Sequence, residues 1–171
     1  MNGPFVAATR GPMVTDLIDS AVGPLRLTSD GNALTGVFFL DSRSDPGADG
    51  HPDPAWFREV KGELAAYFGG ELTEFTVPLA PSGTAFQLAV WGELTRIPYG
   101  ITTTYGDIAR ALGKSPVASR AVGAANGSNP ISVIVPCHRV IGADGGLTGY
   151  GGGLDRKLTL LKLEGSAGLW L

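Results

Sequence analysis

The chain has 171 residues, 43% of them apolar, and a formal net charge of -3, which is ordinary for a globular protein able to bury one core or two small ones. No run of about 18 apolar residues exists, which excludes a membrane-spanning helix, and residues 1–12 lack the basic stretch and apolar run expected of a secretory signal. The single cysteine, Cys137, excludes an intramolecular disulfide and a zinc site built from several cysteines and histidines, and it fits a reducing cytosol.

The charge is unevenly spread. Residues 1–83 hold 5 Lys+Arg against 11 Asp+Glu, a balance of -6, whereas residues 84–171 hold 8 against 5, a balance of +3. An acidic front half and a mildly basic back half predict two domains, 1–83 and 84–171, divided at Pro81-Ser82-Gly83. A balance of +3 is weaker than the basic patch of a typical nucleic-acid binder, so charge alone identifies no partner.

In the front half, residues 1–13 read as a loose tail. Residues 14–20, 25–28 and 33–40 are strand-like, separated by Gly23-Pro24 and the turn cluster Ser29-Asp30-Gly31-Asn32, which predicts an antiparallel meander. Residues 41–54 are rich in Asp, Pro and Gly and read as an exposed loop, in which His51 has no clustered partner. Phe57, Val60, Leu64 and Tyr67 recur at helical spacing, so 56–68 is a helix stopped by Gly69-Gly70. Residues 75–79 are a short extended piece.

The back half is predicted to be mainly helical. Thr84 and Gln87 form a capping box ahead of a helix with Phe86, Val90, Trp91 and Leu94 on one face, ended by Ile97-Pro98-Tyr99-Gly100. Thr104 and Asp107 open a second helix that reaches Leu112, and Gly113-Lys114 turns the chain. Ser115-Pro116, an N-cap followed by proline, opens a third helix running to about Asn126. Two short helices joined through a glycine have helix-turn-helix geometry. The second of them carries small side chains with Val117, Val122 and Arg120, a pattern that suits close approach to DNA and core packing equally.

Ile131 and Val133 to Val135 form a β-branched run that reads as a buried strand, and Pro136 ends it by removing a ladder donor. Cys137 and His138 follow directly. An imidazole can take the proton of a thiol and make it a nucleophile more acidic than an ordinary cysteine. Neighbouring residues of a strand point to opposite faces, however, so the pair can cooperate only through a bend or a bridging water. A buried cysteine can equally be a small hydrophobe. Residues 141–150 read as a hairpin around Ala143-Asp144-Gly145-Gly146, resembling a wing. The last helix, 154–164, buries Leu158 and Leu161 and ends on Glu164, where the macrodipole disfavours a carboxylate unless it has a partner such as an imidazole.

Pro136-Cys137-His138-Arg139-Val140, with Asn129-Pro130 upstream, Arg120-Ala121-Val122-Gly123, Gly149-Tyr150 and its following glycines, and the stretch 161–165, resembles the methylated-DNA–protein-cysteine methyltransferases, the O6-alkylguanine-DNA repair proteins. The likeness covers roughly residues 84–165; the front half resembles the family only in layout. The resemblance implies an α+β fold of two small domains: an antiparallel sheet with a helix, ribonuclease H-like, and a helical winged helix-turn-helix domain. It implies Cys137 as alkyl acceptor, His138 as base through a water, Glu164 as the group orienting His138, and Asn129 as a buried hinge. Tyr105, Tyr150 and Gly151 would form the purine pocket, with the Val135 and Cys137 carbonyls reading the exocyclic amine. Arg120 would replace the extruded base, with Ala121 and Gly123 on the same DNA-binding helix, set in the minor groove.

The resemblance further implies a cytoplasmic monomer acting on duplex DNA that carries O6-alkylguanine, with O4-alkylthymine a second candidate, and needing no cofactor, metal or membrane. Gly151-Gly152 stands where some relatives have Ser or Arg-Trp, which bears on alkyl range. Two other functions compete: a winged-helix regulator that leaves Cys137 idle, and a cysteine hydrolase, which needs an oxyanion hole and turnover.

Overall fold

The computed structural model describes residues 3–165. Met1, Asn2 and residues 166–171, assigned from sequence to the loose tail and to the end of the second domain, lie outside the described residues. The chain divides into two compact units. One runs up to Ser82 and also takes in Pro130–Ile134; the other comprises Gly83–Asn129 and the chain from Val135 onward. The five-residue excursion back into the first unit is the departure from a single cut near residue 83.

In the first unit, β1 (Val14–Ile18), β2 (Leu25–Ser29) and β3 (Leu34–Phe39) form the expected antiparallel meander. Alternation puts Leu25, Leu27, Val37 and Phe39 in the core. The expected loop 41–54 is less free than its composition suggests. Its residues His51–Pro52 form β4, which pairs parallel with β1, so the sheet order is β3-β2-β1-β4. Asp45 in the same loop is held by Arg26 Nε at 2.6 Å. Nor are residues 3–13 a loose tail: Val6 N–H donates to the Leu79 carbonyl at 2.9 Å, and Thr9 N–H donates to Asp30 at 2.7 Å. Helix α1 (Arg58–Phe68) buries Val60, Leu64 and Tyr67, and Lys61 pairs with Asp16 of β1.

The predicted strand at 131–135 does not form, although Ile131, Val133, Ile134 and Val135 are all buried. The Val37 peptide in β3 takes up two of its backbone groups, donating to the Pro130 carbonyl at 2.9 Å and accepting from Ser132 N–H at 3.1 Å. The chain then turns twice within six residues. Ile134 N–H donates to the Ser132 carbonyl at 2.9 Å around Val133, whose φ is 72°. Cys137 N–H donates to the Val135 carbonyl at 2.8 Å around Pro136, whose φ of -82° and ψ of 63° make an inverse γ-turn. A β-branched residue at positive φ costs about 1–3 kcal/mol and persists only where its surroundings hold it.

In the second unit, α2 (Ala85–Leu94) has both bonds of the Thr84/Gln87 capping box and buries Val90, Trp91 and Leu94. Trp91 Nε1 donates to the Ala125 carbonyl at 2.8 Å, tying α2 to the helix α4 (Ser119–Gly127). β5 (Thr103–Thr104) leads into α3 (Tyr105–Ala111), with the Thr104 hydroxyl capping Asp107 N–H. Gly113 at φ 72° closes α3: its N–H reaches the Arg110 carbonyl and Lys114 N–H the Ala109 carbonyl, a Schellman end that only glycine adopts cheaply. A 3-10 turn, Pro116–Ala118, capped by Ser115, then starts α4. Helix-turn-helix geometry is thus present.

Cys137–Arg139 form a 3-10 turn, and β6 (Val140–Ile141) pairs parallel with β5. The expected hairpin at 141–150 has no strand pairing of its own; Gly142 N–H donates to the Gly146 carbonyl and Gly145 N–H to the Gly142 carbonyl, so the wing position is a turn. Helix α5 (Leu154–Leu163) buries Lys157, Leu160 and Leu161, with Leu158 only half-buried.

Thr84→Ala removes the capping bond to Gln87 N–H and is expected to cost about 1 kcal/mol, whereas Thr84→Ser keeps the hydroxyl and is expected to cost little. Urea unfolding of the second unit, followed by Trp91 fluorescence, measures both.

Candidate active site

The strand alternation that would put thiol and imidazole on opposite faces is absent, because Cys137–Arg139 form a 3-10 turn after Pro136. Cys137 and His138 are both buried, the latter fully. His138 Nε2 lies 2.7 Å from Glu164 Oε2. Arg139 Nε donates to Glu164 Oε1 at 2.7 Å and its Nη2 to Oε2 at 3.1 Å, while Nη1 donates to the Ile97 carbonyl at 2.7 Å. Glu164, at the C-terminal end of α5, therefore accepts from two consecutive residues of the 3-10 turn. This partnership explains a carboxylate where the helix dipole disfavours one.

The protonation states follow. Burial alone would raise the Glu164 pKa, but hydrogen bonds and charge from His138 and Arg139 outweigh it and hold the carboxyl down to about 2. Burial holds the His138 pKa below its ordinary value despite the pull of Glu164, and the positive charges of Arg139 and Lys157 lower it further. A neutral imidazole facing an ionised carboxylate must donate from Nε2. The lone pair is then on Nδ1, a buried atom with no hydrogen-bond partner among the described residues. That nitrogen can accept a proton.

Burial pushes the Cys137 thiol up, against hydrogen bonds from the Asn129 and Tyr150 side chains and the charge of Lys157. The resting thiol is therefore not the acidified group expected from its neighbour. Asn129 Nδ2 also donates to the Val135 carbonyl at 2.8 Å, across the base of the Pro130–Ile134 excursion. That carbonyl also accepts from Cys137 N–H at 2.8 Å. The Cys137 carbonyl likewise accepts two bonds, one from Val140 N–H and a long one from Asn126 Nδ2 at 3.4 Å.

Tyr105, first residue of α3, is half-buried, with its ring against Gly123 of α4 and its hydroxyl 2.7 Å from Thr148 Oγ1. Tyr150 reaches the thiol, and Gly151 is exposed beside it in the chain. Arg120 and Ala121 are exposed on α4 together with Ala124 and Gly127, while Gly123 is half-buried. These positions form one open helix face with a single long side chain.

Sequence reasoning missed Lys157. It is wholly buried, pairs with no carboxylate among the described residues, and donates from Nζ to the Val140 carbonyl at 2.6 Å and the Thr148 carbonyl at 3.2 Å. Burial lowers its pKa to about 8, opposed by the nearby Cys137. The signal was its spacing: 157, 160, 161 and 164 share one face of α5, so a lysine stood on the apolar stripe. Arg139 was missed as the second partner of Glu164.

Two family models match the chain: the ribonuclease-like domain of 6-O-methylguanine DNA methyltransferase over residues 13–81, and the DNA-binding domain of the same family over residues 85–166. The chain belongs to this methyltransferase family. A methylated-DNA–protein-cysteine methyltransferase of Mycobacterium tuberculosis is 55% identical over 150 residues, covering 87% of this chain and 90% of the relative. One of Methanosarcina acetivorans is 53% identical, covering 88% of this chain and 97% of the relative. Among solved structures, the M. tuberculosis O6-methylguanine methyltransferase superposes with a TM-score of 0.84 at 52% identity, covering 91% of this chain and 94% of that one. The M. tuberculosis protein crystallised in complex with DNA gives 0.82 at 53% identity, covering 91% of this chain and 93% of that one. The α+β, two-part architecture is that of the family.

A carboxyl whose pKa is lowered from 4.5 to about 2 by folding stabilises the fold above the higher value, and that stability is lost as the pH falls through the lower one. Acid unfolding of the parent is therefore expected to steepen between pH 4.5 and about 2. Glu164→Gln should lack that component and be less stable at pH 7 by about 3–5 kcal/mol, since Arg139 is left as a buried charge. Denaturant titrations across that pH range test both.

Proposed function

We propose that this chain repairs DNA by moving an alkyl group from O6-alkylguanine in a duplex onto the Cys137 sulfur, once per molecule. The observation that carries the reading is the place of the protein's only cysteine directly before a buried imidazole whose Nε2 is committed to Glu164 and whose Nδ1 has no hydrogen-bond partner among the described residues. His138 Nδ1 takes the thiol proton through a water, and the thiolate attacks the alkyl carbon in line. The carbon–oxygen bond breaks towards the purine, which regains a proton with help from the Tyr105 hydroxyl. The product is a thioether. Water does not cleave it, so no second step frees the cysteine.

The alkylated atom is stacked inside a duplex, so the base has to be flipped into the pocket. Tyr105, Tyr150 and Gly151 form that pocket, with the Val135 and Cys137 carbonyls reading the exocyclic amine. The open face of α4, with Arg120, Ala121 and Gly123, enters the minor groove, where small side chains permit close approach. Arg120 fills the vacated stack, and Asn129 is the hinge that holds the thiol segment to α4. The catalytic and DNA-binding domain is the second, from residue 84 on, apart from the excursion. The protein works as a cytoplasmic monomer without a cofactor; no helix among the described residues is long and apolar enough to cross a membrane. O4-alkylthymine is the secondary substrate.

Incubation with methylated duplex DNA is expected to add one methyl group per chain permanently, read by intact mass, and Cys137→Ser should abolish the gain while DNA binding persists. Tight binding without a mass change would favour a regulator, and turnover without one a hydrolase. Arg120→Ala should slow transfer from duplex DNA severely and leave transfer from free O6-benzylguanine almost unchanged, because a free base needs no flipping. Arg120→Lys should rescue poorly, since a guanidinium plane stacks and an ammonium does not. Equal loss on both substrates would make Arg120 a structural residue.

A further inference from the structure

The Tyr105 hydroxyl has a hydrogen-bond partner within the protein. Its partner, Thr148 Oγ1, is 2.7 Å away on the turn-bearing stretch between β6 and α5. Thr148 is itself fixed at two further points. Its carbonyl accepts from Lys157 Nζ at 3.2 Å, and the same ammonium donates to the Val140 carbonyl at 2.6 Å, so one buried cation ties the stretch to the strand that follows the thiol turn. Its methyl group packs over Gly142, where an added Cβ would come within 3.1 Å of Thr148 Cγ2. Its β-branched side chain has restricted χ1, so holding the methyl also aims the hydroxyl. On the other side, a Cβ on Gly123 would lie 3.8 Å from the Tyr105 ring, so the ring rests on the α4 backbone. The phenol is held at its ring and at its oxygen by separate elements.

We propose that Thr148 is a positioning residue for transfer, donating its hydroxyl proton to the Tyr105 oxygen so that the phenolic proton is left for the purine. The proposal rests on the reading of Tyr105 as the group that donates to the flipped base. A tyrosine hydroxyl has one proton and can accept as well. If it spent that proton on Thr148, it would have nothing to offer the departing purine. With Thr148 as donor, the order is threonine to tyrosine to purine, and each bond polarises the next, making the phenol a stronger donor as charge develops on the leaving base. No bond forms or breaks at Thr148. Lys157 acts one step further back, by holding the Thr148 backbone. A residue acting in this way affects the transfer step more than substrate binding.

The test is a double-mutant cycle on full-length protein, with O6-benzylguanine as probe and intact mass as readout, the transfer rate being measured against probe concentration. Thr148→Val keeps the shape and removes the hydroxyl. It is expected to lower the limiting rate about tenfold, as for loss of one hydrogen bond, with the half-saturating concentration little changed. Thr148→Ser keeps the hydroxyl and should stay within about threefold of the parent. Thr148→Val combined with Tyr105→Phe should be no slower than Tyr105→Phe alone, because the threonine then has no phenol to act on. Multiplying losses in the double variant, or Ser as slow as Val, would overturn the proposal while leaving the role of Tyr105 standing. A parent-like rate for Thr148→Val does the same. A parent-like rate for Tyr105→Phe would remove the reading of Tyr105, and this proposal with it.

Discussion

The second unit is organised around one buried carboxylate. Glu164 brings the end of α5 against the turn that carries the thiol, and through Arg139 against the carbonyl of Ile97 beyond the end of α2. Removing any partner would leave a buried charge or donor unmatched, so the group stands or falls as a set. Hydrogen bonds from His138 and Arg139, with the arginine's charge, keep the carboxyl ionised, which in turn dictates which imidazole nitrogen holds the hydrogen. The chemical role of His138 thus depends on a neighbour that never faces the thiol. Tyr99 adds a further tie, its hydroxyl donating to the Leu163 carbonyl at 3.3 Å next to the Arg139 guanidinium over its ring.

Much of this was legible where local chemistry decides the outcome. The Thr84/Gln87 box, the Thr104 cap, the Ser115-Pro116 start and the Gly113 turn each satisfy backbone groups within a few residues, and each was found where its side chains announced it. What failed depends on partners distant in sequence. The β-branched run 131–135 reported burial correctly and conformation wrongly, because its backbone is satisfied by Val37 and by its own tight turns instead of a ladder. His51–Pro52 became a strand because β1 had an edge to offer. Asp45 and Thr9 found partners that composition cannot reveal.

The site was legible in its motif and less so in its electrostatics. His138 and Glu164 do meet, but adjacency to an imidazole suggested an acidic thiol, whereas burial of Cys137 acts the other way. The Val135 and Cys137 carbonyls, both assigned the exocyclic amine, each already accept within the protein, the first from Cys137 N–H and Asn129, the second from Val140 N–H and Asn126. Lys157 shows the limit from the other side. Its spacing marked it as anomalous, but only the fold shows that two carbonyls, and no acid, receive it.

The excursion Pro130–Ile134 also changes what counts as a separable piece of this protein. The peptide passes from the first unit to the second at Ser82, returns at Pro130 and leaves again after Ile134. A fragment begun at Gly83 would carry the Pro130 carbonyl and Ser132 N–H away from the Val37 peptide that bonds both. It would display an apolar, strained segment eight residues or fewer from the thiol. A fragment ended at Ser82 would leave the Val37 N–H and carbonyl on the outer edge of β3 without their partners, Pro130 and Ser132. The two halves are therefore interlaced along the chain, and neither is a self-contained module for fusion or truncation.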